Sequence, residues 1–100
     1  MRNFLIESGV YPNLKGFNYI IKAVELVMEN PQIKITKELY PKIAKLNNDS
    51  CTRVERAIRH VVTDKIPSRK YRDIGLNKSP NNGEFIHYFA LKIKEGKYEL

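Results

Sequence analysis

Arg53, Arg56 and Arg59 recur at intervals of three, and His60 follows the last of them. At 3.6 residues per turn this spacing gathers them on one side of a helix, with Thr52 and Thr63. Cys51, Val54, Ile58 and Val61 fall on the other side, with Ala57 beside them. A guanidinium carries five N–H donors in a planar fork and keeps its charge at any physiological pH. A row of such forks suits an array of acceptors that bears negative charge. Phosphate oxygens are one such array, and the O6/N7 edge of guanine offers paired acceptors beside it. The chemistry that these residues suggest is recognition by hydrogen bonding.

The residue types needed for bond making are not assembled. His60 and His87 are the only histidines, and no spacing pairs them. His60 belongs with the arginines, whereas His87 reads as a flank residue of a late helix. No serine, histidine and acid cluster has a recognisable spacing. Gly9, Gly16, Gly75, Gly83 and Gly96 are isolated, so no glycine-rich loop can cradle a phosphate. Glu25 and Glu29 lie one helical turn apart, which is too common to mark an acid/base pair. The single cysteine excludes an intrachain disulfide and a cysteine-rich metal site. Its place on the apolar side predicts that Cys51 is a buried structural thiol. The expectation is a protein that is not an enzyme, with no metal, no cofactor and no small-molecule substrate.

The arginine row needs an element to hold it. Residues 50–63 form the predicted helix, with Ser50 or Asp49 as N-cap. A shorter helix, Thr36 to Leu46, precedes it. Asn47-Asn48-Asp49 is the turn between them, since asparagine tolerates a left-handed backbone. Together residues 36–63 read as a helix-turn-helix. Pro41 implies that the first of these helices starts near it or kinks there. Ala44 is small where the two helices would cross.

Around this unit the chain offers supporting helices. Arg2–Ser8 is a short one, stopped by Gly9. Lys15–Glu29 has Phe17, Ile20, Ile21, Val24, Val27 and Met28 on one face and reads as the scaffold. Ser68–Ile74 is a short helix capped by Ser68 and stopped by Gly75. Residues 76–83 read as a loop; a β-wing is the alternative, but the flanks are short of β-branched types. Asn81 or Asn82 caps a last helix, Glu84 to about Glu95, with Phe85, Ile86, Phe89 and Ile93 inward. Residues 96–100 read as a frayed tail. The fold class is all-α, five or six helices in a single domain over residues 1–100.

The charge distribution agrees with a polyanionic partner. The chain has 100 residues, a formal net charge of +7 and a pI near 9.6. Residues 53–78 hold eight cationic and three acidic side chains, so most of the excess lies in about a quarter of the chain. No apolar run approaches the ~18 residues of a membrane span, and the N-terminus lacks a signal-peptide core. The expected location is the cytoplasm, with no membrane partner.

Several runs resemble a known family. They are Ile35-Thr36-Lys37, Leu39-Tyr40-Pro41, Ile43-Ala44-Lys45 and, most specifically, Arg53-Val54-Glu55-Arg56-Ala57-Ile58-Arg59-His60. Gly9-Val10, Lys15-Gly16-Phe17, Tyr19 and Glu84-Phe85-Ile86 extend the likeness over about residues 5–93. The chain resembles the C-terminal DNA-binding domain of the stage-zero sporulation protein A of endospore-forming Firmicutes, a response regulator. The resemblance implies that Arg53, Glu55, Arg56, Arg59 and His60 lie on the DNA-contacting helix. Thr52 stands where the family has a serine. That family carries a phosphoacceptor receiver domain ahead of this one. Met1 stands a few residues before the first family helix, so the expectation is either an excised domain or a free-standing relative without phosphorylation control, and the native-looking Met-Arg-Asn start favours the second. Val62 to Pro80 is shorter and more basic than the family and lacks a tryptophan. In the family this region and the last helix pair neighbouring molecules on tandem sites, which implies a possible homodimer or tandem pair. Asn47 replaces an aromatic beside the turn, and Leu46 is expected to take over its packing.

The residue assignment follows. Thr52, Arg53, Glu55 and Arg56 are candidates for base contacts in the major groove of double-stranded DNA. Glu55 either accepts from a cytosine amino group or orients a neighbouring arginine. Arg59 and His60 are candidates for base or phosphate contacts. Lys15, Lys37, Lys42, Arg69, Lys70 and Arg72 are candidates for phosphate contacts. The function expected is sequence-specific DNA binding as a transcriptional regulator. Alternatives are an accessory or architectural factor of a plasmid or phage, at a transfer or replication origin, and an interaction module for an acidic protein. RNA is a weaker candidate, since the aromatics read as buried.

Overall fold

The computed structural model describes residues 1–76 and 79–100, and among these the chain forms six α-helices and no strand. They are α1 (Arg2–Glu7), α2 (Lys15–Glu29), α3 (Tyr40–Leu46), α4 (Cys51–Arg59), α5 (Ser68–Asp73) and α6 (Asn82–Lys94). The fold is all-α and of the helix-turn-helix type. Residues 77 and 78 of the expected 76–83 loop, the second being Lys78 of the basic run, lie outside the described residues.

α2 occupies the span that its periodicity predicts. Nine of its fifteen residues are buried, and Tyr19, Ala23 and Leu26 widen the stripe read from the sequence. The cause is that α2 packs against both α4 and α6. A helix with two helical neighbours needs apolar residues over more of its circumference. From α4, Val54 and Ile58 enter the same core, and from α6 Phe85, Ile86 and Phe89. Each is fully buried, which stabilises the fold by roughly 1.5–3 kcal/mol apiece relative to exposure.

The helix-turn-helix is built around two prolines. Ile35–Leu39 forms a π-helical turn leading into α3: the Leu39 N–H donates to the Lys34 carbonyl at 2.9 Å, and the Tyr40 N–H to that of Ile35. In a regular helix the Pro41 ring would collide with the Lys37 carbonyl, and it has no N–H to donate. Widening the turn relieves the collision, so the segment is helical from Ile35 but regular only from Tyr40. The same device ends the second helix. α4 runs on as a π-helical stretch, His60–Lys65, in which the Ile66 N–H donates to the Val61 carbonyl at 3.1 Å. In that pattern the Val62 carbonyl would wait for residue 67, a proline. The buried Tyr71 hydroxyl of α5 donates to it instead.

Between the helices the chain turns in three residues. Asn48 has φ 51°, the Asp49 N–H donates to the Ala44 carbonyl at 2.9 Å, and the Asn48 N–H to that of Lys45 at 3.5 Å. This is a Schellman stop, which satisfies the last carbonyls of α3, and asparagine occupies its left-handed position at small cost. Ser50 then opens α4, its Oγ accepting from the Arg53 N–H at 3.2 Å.

Four expectations need correction. Cys51 is exposed, because it is the first residue of α4 and precedes the turn that meets the core. Leu46 is 59% exposed, so it does not supply the packing of an aromatic at Asn47. The Asn47 side chain instead donates to the Ile43 carbonyl at 2.8 Å. Ser68 is the first residue of α5 and makes no cap; Pro67 holds that position. The C-terminal residues are not frayed. Tyr98 packs on Phe89 with ring centroids 5.3 Å apart, and Leu100 lies partly buried against the core. The Met1 ammonium donates to the Glu99 carbonyl and the Arg2 N–H to that of Leu100. Packing of Tyr98 on the Phe4–Phe85–Phe89 cluster, with these terminal hydrogen bonds, holds the tail against α1.

Candidate nucleic-acid interface

The outward side of α4 and its π-helical continuation carries Thr52, Arg53, Arg56, Arg59, His60 and Thr63, all exposed. The inward side holds Val54, Ile58, Val61 and Val62, all buried. The helix is therefore fixed on one side and free on the other over about four turns.

Two contacts set its position. At Gly16 the backbone of α2 meets that of α4: a Cβ added there would stand 2.4 Å from the Ala57 carbonyl oxygen and 2.6 Å from Val61 Cγ2. Only glycine allows the two backbones so close. At the turn, the Tyr19 hydroxyl of α2 donates to Asp49 Oδ2 at 2.6 Å, and Asp49 Oδ1 accepts from the Ser50 N–H at 2.9 Å. The Tyr19 hydrogen bond, then that of Ser50, holds the Asp49 carboxyl below the usual carboxylate range, with Lys15 and Arg53 adding their charge. Burial, with Asp49 behind it, pushes the Tyr19 phenol up to about 12. Lys15 and Arg53 thus both lie near enough to Asp49 for their charge to act on it.

Glu55 behaves differently from its neighbours. It is half-buried, and its carboxylate turns towards the start of α6. The Asn82 amide donates to the Glu55 carbonyl at 3.2 Å, to Glu55 Oε2 at 3.4 Å and to the Tyr40 hydroxyl at 3.0 Å. The Arg59 guanidinium stands 3.6 Å from Glu55 Oε1. His60 also has a partner: its Nδ1 lies 3.2 Å from Asp64 Oδ2, one turn on.

Lys37 and Lys42 are exposed on the π-turn and α3, and Arg69 and Arg72 are exposed on α5. Lys70 stands apart. It is half-buried and lines a cleft of about 400 Å³ with Met1, Asn3, Asp73 and Glu99. Among the described residues no group of three His, Cys, Asp or Glu side chains is placed to hold a metal ion. None of the described helices is long and apolar enough to cross a membrane.

Sequence reasoning missed Gly16, Tyr19, Tyr40, Asp49 and Asn82 as parts of this site. Tyr19 lies beside a stripe already explained by packing. The one signal for Asn82 is a second asparagine immediately after an N-cap.

The exposed arginine row, the tight turn and the supporting helix coincide with a known family. The family model described as "Sporulation initiation factor Spo0A C terminal" matches residues 1–93. That stretch contains α1 to α5, the turn and all but the last residue of α6. The chain therefore belongs to the Spo0A C-terminal family, the DNA-binding domain of a transcription regulator and not an enzyme family.

Proposed function

We propose that this chain, a single DNA-binding domain with its helix-turn-helix over about residues 36–63, binds double-stranded DNA sequence-specifically as a transcriptional regulator. α4 enters the major groove. Arg53 and Arg56 donate to guanine edges, Thr52 adds a hydroxyl, and Glu55 either accepts from a cytosine amino group or orients Arg59, whose guanidinium stands beside it. Arg59 and His60 serve the groove wall or the phosphates. Lys15, Lys37, Lys42, Arg69 and Arg72 bind phosphates, and Lys70 contributes charge from further away. Its DNA target places the protein in the cytoplasm. The observation that carries this reading is the exposed row Thr52, Arg53, Arg56 and Arg59 on a helix whose opposite side is fixed in the core.

Selection from random duplexes at physiological salt tests it, followed by titration of the winner against a scrambled duplex. Base readout predicts a motif bound about 10³-fold or more above the scrambled sequence. A tandem motif supports paired molecules. No motif, with binding that vanishes steeply as salt rises, would refute base readout and leave α4 as an electrostatic surface.

A further inference from the structure

Asn82 is buried to 7% exposure, although it is the second residue of a polar stretch at the start of α6. Capping does not require it. Asn81 is the N-cap, its Oδ1 accepting from the Glu84 N–H at 2.8 Å while Glu84 Oε1 accepts from the Asn81 N–H at 2.9 Å. The Asn82 amide is turned the other way, towards α4. Both the carbonyl and the carboxylate of Glu55 can only accept, so the amide nitrogen must face them. Its two N–H groups then serve Glu55 and Tyr40, and its buried Oδ1 has no donor among the described residues. An unpaired buried oxygen is unfavourable. An apolar residue here would avoid it, so the N–H groups are the asset.

The Glu55 side chain needs such a hold. Beside it lies an open cleft of about 430 Å³ whose wall includes Thr36, Tyr40, Arg59, Thr63 and Gly83. Sterics alone leave the carboxylate room to swing. Arg59 draws one oxygen from 3.6 Å, and Asn82 holds the other.

We propose that Asn82 is a specificity-determining positioning residue: anchored at the start of α6, it orients the Glu55 carboxylate, and so sets base preference at one position without touching DNA. This rests on the reading of α4 as a base-reading helix.

The test repeats the duplex selection with the full chain and its variants Asn82→Ala, Asn82→Ser, Asn81→Ala and Glu55→Ala. Asn82→Ala is expected to lower discrimination at a single base-pair position by about fivefold or more. It should leave the other positions and the salt slope unchanged. Asn82→Ser keeps a hydroxyl for the Glu55 carbonyl but does not reach the carboxylate. It should give the same relaxation, and decides the matter if Asn82→Ala does not fold. Asn81→Ala weakens the same helix start without touching Glu55, and should keep the wild-type motif. In a Glu55→Ala background, Asn82→Ala should have no further effect on the motif. Uniform weakening on all sequences, an unchanged motif, or the same change from Asn81→Ala would overturn the positioning role while base reading stands. Absence of any motif for the wild type would overturn base reading itself.

Discussion

Gly16→Ala should destabilise this fold although alanine is the better helix former. Gly16 is the second residue of α2, and Gly83 is the second residue of α6. Helix propensity favours alanine by up to about 1 kcal/mol at both, so it cancels between them. The contacts differ. At Gly83 a Cβ would find the Asn81 Oδ1 at 3.5 Å and Ile35 Cγ1 at 3.9 Å, ordinary van der Waals distances. At Gly16 it would stand 2.4 Å from the Ala57 backbone oxygen, which no rotamer change can move. Restoring normal contact requires α2 and α4 to separate by about 1 Å, an overpacking typical of a 1–3 kcal/mol loss. A hundred-residue domain unfolds with about 0.2 kcal/mol/K of entropy. Gly16→Ala should therefore melt roughly 5–15 °C below Gly83→Ala, which should itself leave Tm unchanged or raise it by up to about 5 °C. Circular dichroism at the helix band, followed with temperature, reads both. Equal stability of the two variants would refute the close approach of α2 to α4.

Other parts of the account make separate predictions. The Tyr19 and Ser50 bonds depress the folded-state pKa of Asp49 below the ordinary 3.8. Its stabilisation is thus complete above that value and lost as pH falls through the folded pKa. Asp49→Asn should be less stable than wild type in thermal unfolding at neutral pH, with the gap closing under strongly acid conditions; a gap independent of pH would contradict this. Asn81→Ala removes the capping box of α6 and should cost about 1 kcal/mol, seen as a drop in Tm. Cys51 should react with a thiol reagent in the native protein as fast as in the unfolded chain, and Cys51→Ser should change stability by less than about 0.5 kcal/mol.

Much of this architecture is visible in the residue order. α2 is bounded as its apolar spacing predicts, and Asn48 takes the left-handed place expected of the turn. The arginine row is exposed because it alternates at helical period with Val54, Ile58 and Val61. The errors sit at element ends and at crossings. A helical wheel assigns Cys51 to the apolar side, but it cannot tell that the core begins one turn later, at Val54. Leu46 is the last residue of α3, beyond those the helix buries at Tyr40, Ile43 and Ala44, and it stays exposed. Pro41 and Pro67 announce irregularity without revealing that a π-turn resolves it. The Gly16–Ala57 approach and the Asn82–Glu55 hydrogen bonds join residues distant in sequence, so no local pattern could encode them. Residues 96–100 carry no local sign of order, because Tyr98 packs on a ring of α6 that only the folded chain brings to it.

The most direct test of the central claim is the salt dependence of affinity for the selected duplex and a scrambled one, measured for wild type, Arg56→Ala and Lys42→Ala. If α4 reads bases, Arg56→Ala weakens the selected duplex by about 1–3 kcal/mol, relaxes one position and spares the scrambled duplex. Lys42→Ala should weaken both alike and flatten the salt slope by about one unit. Arg56→Ala weakening both duplexes alike would contradict the claim that this arginine, on this helix, carries sequence information.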